Sequence, residues 1–263
     1  MRLREYLDSH GLTVTEFASR IGRAPSTVSR LISGATMPEP ATLAQITAAT
    51  QGKVQPNDFF ADSRPGPGGT EAAEEELLRA QVYQLLATVL RGPPDAATLS
   101  GLGRLLGDET PIGRAVDALA AAARATTAEA VRDEHFALFI GVGHGELLPF
   151  ASYYLTGFLH EKPLARLRGD LAVLGLARQE AVSEPEDHIA ALCEVMAALI
   201  TGELGTRADL ARQQEFFDRH IAPWAGRFFA DLEAAQAAVF YRPVGTIGRL
   251  FVELEGEGFA LAA

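Results

Sequence analysis

The stretch Ser183-Glu-Pro-Glu-Asp-His-Ile-Ala-Ala-Leu-Cys-Glu-Val-Met196 decides the class of fold. Ser183 and Glu186, three residues apart, have the form of a capping box, and Pro185 is tolerated in a first helical turn. Ile189, Leu192, Cys193, Met196, Leu199 and Ile200 then recur at helical spacing as one apolar stripe. At about 100° per residue, Asp187 and Glu194 point away from that stripe, and His188 lies at its edge. The reading is a helix from Ser183 that opens with an exposed carboxylate beside a half-seated imidazole. By spacing alone, that pair is either a surface cap or a grip for a ligand.

Outward from this helix the pattern repeats. Leu77, Leu78, Val82, Leu85, Leu86 and Val89 mark a helix from Glu71 to Leu90, which Arg91-Gly-Pro-Pro94 stops. Residues 111–131 are Ala-rich and helix-prone. No stretch sustains the alternation of a strand. Towards the N-terminus, Ser63-Arg-Pro-Gly-Pro-Gly-Gly-Thr70 reads as a linker. Before it, Thr13-Val-Thr-Glu16 is a second capping box, followed by Val14, Phe17, Ala18 and Ile21 at helical spacing. Gly22 ends that helix, and Pro25 opens another with Val28, Leu31 and Ile32 inward. A third helix runs from about Pro40 to Thr50. The expected architecture is all-α: a small helix-turn-helix domain over residues 1–62, a Pro/Gly linker over 63–70, and a larger helical domain over 71–263.

Composition narrows the function. The chain has 263 residues, 48% hydrophobic and 22% charged, which is globular and not disordered. Its single Cys193 excludes an internal disulfide and fits a reducing compartment. The first residues lack the apolar run of a secretion signal, and no stretch reaches the roughly 18 apolar residues of a membrane helix. The expectation is a cytoplasmic protein with no membrane insertion. Residues 1–63 carry six basic and six acidic residues, so the other 17 basic and 28 acidic residues hold the whole net charge of −11. An acidic body attracts basic ligands at long range and disfavours nucleic acid.

Catalytic and cofactor motifs are missing. There is no G-x-S-x-G elbow, no zinc-type Cys/His cluster and no H-E-x-x-H helix, so no enzyme, metal or cofactor is expected. Gly141, Gly143 and Gly145 lack the preceding strand and the Lys-Ser/Thr ending of a phosphate loop.

Two resemblances sharpen the reading. The strings Leu12-Thr-Val-Thr-Glu-Phe-Ala-Ser-Arg-Ile-Gly22 and Pro25-Ser-Thr-Val-Ser-Arg-Leu-Ile-Ser-Gly34 resemble the phage-repressor-like (Cro/CI, XRE-type) DNA-binding domains. The resemblance implies that Ser26, Thr27, Ser29 and Arg30, with Arg23 at the turn, contact double-stranded DNA. Ala24 in place of a hydroxyl cap, and the zero net charge of this part, depart from that pattern.

The second covers about residues 72–255. Glu134-His-Phe-x-x-Leu-Phe, Leu-Pro-Phe-x-Ser-Tyr153, Glu-Pro-Glu-Asp-His188 and Phe217-x-x-His-Ile-x-Pro-Trp224 resemble the TorD/DmsD/NarJ family of redox-enzyme maturation chaperones. The resemblance implies a non-enzymatic cytoplasmic chaperone that binds an apo molybdenum-containing oxidoreductase, usually through its twin-arginine signal peptide. Such a peptide, basic at one end and apolar in its middle, needs carboxylates and an apolar groove. Asp187 is the expected charged contact, with Glu184, Glu186 and Glu194 around it and His188 orienting it. Pro149, Phe150, Ser152, Tyr153 and Tyr154 are the expected groove, with Tyr153 and Tyr154 open between core and groove. His220 and Trp224 read either as a contact or, more simply, as a structural corner. A transcription regulator that senses the same peptide is the alternative.

Overall fold

The computed structural model describes residues 3–23, 27, 28, 31, 40–50, 53, 54, 69–174, 185–203 and 207–262. These residues are mostly helical, with no strand among them, and they divide into two compact units, Met1–Glu74 and Glu75–Ala263.

The smaller unit contains α1 (Leu3–Ser9), α2 (Val14–Arg20) and α3 (Pro40–Ala49). Helix α2 starts where the capping box placed it. The Thr13 hydroxyl accepts from the Glu16 amide at 3.2 Å, and the Thr13 amide donates to Glu16 Oε2 at 2.9 Å. Gly22, at φ 64°, turns the chain out of α2 in the left-handed conformation that glycine tolerates. Phe17, Ala18, Ile21, Val28, Leu31, Ile46 and Val54 are buried with Leu3, Tyr6 and Leu7 in one core. Helix α1 is an element that the sequence reading did not isolate.

The boundary falls within α4 (Gly69–Arg91), which belongs to the larger unit from Glu75 onward. Gly69 and Thr70, expected in the linker, are therefore helical, while residues 63–68 lie outside the described set. The first four amides of a helix need no intrahelical acceptor, so weak helix formers are tolerated there. Next come α5 (Ala96–Leu102), α6 (Pro111–Ala125) and α7 (Ala128–His135), the last widening into a π turn at Phe136–Ile140. The Ala-rich, helix-prone run 111–131 thus falls in two helices. The Thr127 hydroxyl accepts from the Ala130 amide at 3.2 Å and restarts the chain as α7.

After α8 (Ala151–Thr156) and α9 (Lys162–Val173) comes α10 (Ile189–Thr201), the centre of the unit. Ile189, Leu192, Cys193, Met196, Leu199 and Ile200 are all buried, as are Ala190, Ala197 and Ala198. The stripe is wider than the sequence indicated, because other helices cover α10 on more than one side. Helices α11 (Leu210–His220), α12 (Ala225–Ala234) and α13 (Tyr241–Ala262) complete the unit.

Two devices lock the unit. Gly245 and Gly248 bring α13 against α12 so closely that a Cβ on Gly248 would stand 2.2 Å from the Phe229 ring. Arg79 on α4 pairs with buried Glu255 on α13 at 2.6 Å, and the Tyr83 hydroxyl donates to the same carboxylate at 2.9 Å. Arg79 also donates to Gln213 on α11 at 3.1 Å, so every polar group in this apolar neighbourhood has a partner.

Candidate functional site

The start of α10 differs from the sequence reading. Ser183 and Glu184 lie outside the described residues, and Pro185-Glu-Asp187 form a turn instead of a first helical turn. His188 is the N-cap of α10, its Nδ1 accepting from the Ala190 amide at 3.1 Å. Glu186, expected to close a capping box, instead pairs with Arg168 on α9 at 2.8 Å. The partner that decides the outcome comes from another helix, and a local pattern cannot foresee it.

Asp187 is corrected more sharply. Expected open, it is 0% exposed. Its Oδ2 accepts from the Ser152 amide at 2.8 Å, its backbone carbonyl accepts from the Ala151 amide at 3.0 Å, and the Pro149 carbonyl accepts from the Ile189 amide at 2.9 Å. Two segments 35 residues apart are thereby laced together, and the first turn of α8 receives an acceptor from outside its own sequence. The Phe150 and His188 rings meet edge to face, 5.1 Å between centroids. Burial, helped by the positive fields of Arg91 and His135, pushes the His188 pKa down to about 3, so the imidazole is neutral and its Nδ1 lone pair is free to cap.

The expected groove residues separate into buried and exposed sets. Pro149 and Ser152 are buried, and Phe150 is half-buried. Tyr154 is half-buried, and its hydroxyl donates to Asp231 at 3.0 Å while its ring packs 5.5 Å from that of Trp224. Trp224 and His220 are both buried and joined to each other. The Trp224 indole donates to the His220 carbonyl at 2.7 Å, and His220 Nε2 meets Asp170 at 2.9 Å. Burial lowers the His220 pKa against the opposing pull of Asp170. Glu194 is exposed on α10 and held by Arg91.

At α8 and the turn that follows it, several large apolar side chains are exposed. Tyr153, Leu155, Phe158 and Leu159 are 39%, 43%, 69% and 38% exposed within a seven-residue span. Sequence reasoning named only the first. The signal was present in Tyr153-Tyr-Leu-Thr-Gly-Phe-Leu159, where apolar residues continue past a glycine that ends the helix. Beside this face a cleft of about 240 Å³ opens between α9 and α11, lined by Asp170, Val173, Leu174, Phe216, Arg219 and His220 among others. Below it, Arg219 and His220 also border a cavity of about 20 Å³ that reaches Asp187.

The glycine loop is structural. The Glu146 and Leu147 amides return to the Ala137 and Leu138 carbonyls, and the Glu146 carboxylate accepts from the Gln236 and Ala237 amides. Among the described residues, no group of His, Cys, Asp and Glu could hold a metal ion, and no helix is long and apolar enough to cross a membrane. In the smaller unit, Arg23 donates to Gln45 on α3 at 3.2 Å, and Thr27 is helical and half-buried. Ser26, Ser29 and Arg30 lie outside the described residues.

Comparison with known proteins agrees with this division. Residues 107–230 match the profile of the nitrate reductase delta subunit family, and residues 3–55 match a helix-turn-helix profile. A chaperone protein TorD from Vibrio atlanticus is 27% identical over 131 residues, 47% of this chain and 61% of that protein. One from a Psychrobacter species is 31% identical over 99 residues, 35% of this chain and 45% of the relative. The chain therefore spans less than two thirds of the curated relatives it matches. A solved redox enzyme maturation protein from Archaeoglobus fulgidus, 21% identical, covers 66% of this chain and 93% of its own at a TM-score of 0.45, too distant to argue from. Through residues 107–230 the chain is similar to the nitrate reductase delta subunit family and to TorD chaperones, and through residues 3–55 to helix-turn-helix domains.

Proposed function

We propose that this chain is a cytoplasmic maturation chaperone. It binds the apo form of a molybdenum-containing oxidoreductase, or the twin-arginine signal peptide of one, before export. The observation that carries the reading is the run of exposed apolar side chains Tyr153, Leu155, Phe158 and Leu159, which follows directly on Ser152, the residue whose amide buried Asp187 holds. Exposed large apolar side chains clustered on one short element mark a docking surface better than scattered ones do. The apolar middle of a signal peptide suits this face, and the 28 acidic residues beyond position 63 favour approach of its basic end. The matched relatives, named as TorD chaperones, support the same role. Calorimetric titration of the full chain with a synthetic twin-arginine signal peptide tests it. Saturable heat is expected; a flat titration with folded protein would overturn the reading.

A second reading has its own support in the helix-turn-helix match at residues 3–55. In it the chain is a transcription regulator, the smaller unit contacting duplex DNA and the larger one sensing the peptide. Fluorescence anisotropy of labelled duplex at low salt separates the two. Binding that weakens steeply with added salt favours regulation; no binding at tens of micromolar excludes it.

A further inference from the structure

We infer that Asp187 serves the peptide site as a positioning residue: it holds α8 in place through the Ser152 amide and does not meet the ligand's arginines. The inference rests on the chaperone reading above and assigns a role within that site. Three observations carry it. Asp187 is fully buried, and Oδ2 is committed to the Ser152 amide at 2.8 Å. Its second oxygen, Oδ1, has no hydrogen-bond partner among the described residues, and Asp187 lines a cavity of about 20 Å³. That volume takes about one water and no guanidinium. The other walls of the cavity include Arg166 and Arg219, so an arriving arginine would meet like charge before it met the carboxylate.

Helix α8 has only six residues, too few to persist without outside support. Its N-cap position, Phe150, offers no side-chain acceptor, so Asp187 supplies what a Ser or Asp at that position would ordinarily supply. Leu155 lines the same cavity as Asp187, and Tyr153 follows the capped amide directly. Loss of the cap therefore loosens the face that the peptide would cover.

Asparagine can accept the Ser152 amide as aspartate does, whereas alanine cannot. The test compares Asp187→Asn with Asp187→Ala in the full chain. Hydrogen exchange at the Ser152 amide reads the cap, and titration with a twin-arginine signal peptide reads the site. Expected for Asp187→Asn are exchange and affinity within about threefold of the parent. Expected for Asp187→Ala are losses of about tenfold in both, the size of one lost cap. A double-mutant cycle of Asp187→Asn against Arg→Gln in the peptide should be additive. The inference is overturned if Asp187→Asn keeps Ser152 protection yet loses as much affinity as Asp187→Ala, or if the cycle shows coupling of about tenfold. It is overturned as well if Ser152 exchange is indifferent to both substitutions. Should the parent not bind the peptide at all, the chaperone reading fails, and the exchange measurement still decides whether Asp187 holds α8.

Discussion

At the scale of single residues, neutral His188 has a consequence for acid stability. Its folded pKa of about 3 lies below the ordinary 6.5. In the unfolded chain the imidazole takes up a proton as pH falls through 6.5, while in the folded chain it stays neutral almost to 3. The stabilisation is therefore complete above about 6.5 and is lost as pH falls towards 3, at up to about 1.4 kcal/mol per pH unit. His135 and His220, whose pKa values burial also lowers, act in the same direction. Denaturant unfolding at a series of pH values checks this. His188→Asn, which keeps a capping acceptor and removes the titration, should flatten the decline between pH 6 and 4. An unchanged slope would show that His188 does not carry it. Residues also show what a sequence can and cannot disclose. The Thr13–Glu16 box formed as read, whereas after the Ser183–Glu186 pattern the N-cap of α10 is His188, Glu186 pairs with Arg168, and Ser183 lies outside the described residues.

At the scale of elements, long periodic segments were legible and short ones were not. Helices α4 and α10 announced themselves by apolar spacing, because a helix packed on a core must repeat its contacts every three to four residues. Helix α8 could not: six residues hold fewer than two turns, and its supporting carboxylate lies 35 residues away. Of the residues left open between site and core, Trp224 is buried in the core and Tyr154 is half-buried against it, and each has a hydrogen-bond acceptor there. Glycine in α13 illustrates a second limit. In isolation Gly248→Ala should favour a helix by about 1 kcal/mol. Here the new methyl would stand 2.2 Å from the Phe229 ring, and both α12 and α13 would have to move. Overpacking of this kind costs about 1–3 kcal/mol, so net destabilisation is expected in a thermal melt. A raised melting temperature would mean that the two helices separate more easily than their packing implies.

At the scale of the whole molecule, charge was legible from the first count and placement was not. The excess of acidic residues beyond position 63 makes that part of the chain acidic and leaves residues 1–63 neutral, which suits different partners for the two. Sequence assigned the acidic role to Asp187 because helical projection turned it outward; the fold buries it and leaves an apolar face outside. The central claim is that this face of α8 receives the apolar part of a twin-arginine signal peptide. Phe158 is its most exposed member and makes little of the core, so Phe158→Asp should leave the melting temperature unchanged. The most direct measurement is calorimetric titration of the parent chain and of Phe158→Asp with the same signal peptide. The account expects saturable binding by the parent and affinity at least about tenfold weaker in the variant, since burying an unpaired carboxylate under an apolar peptide is costly. Equal affinity in the two proteins would contradict it.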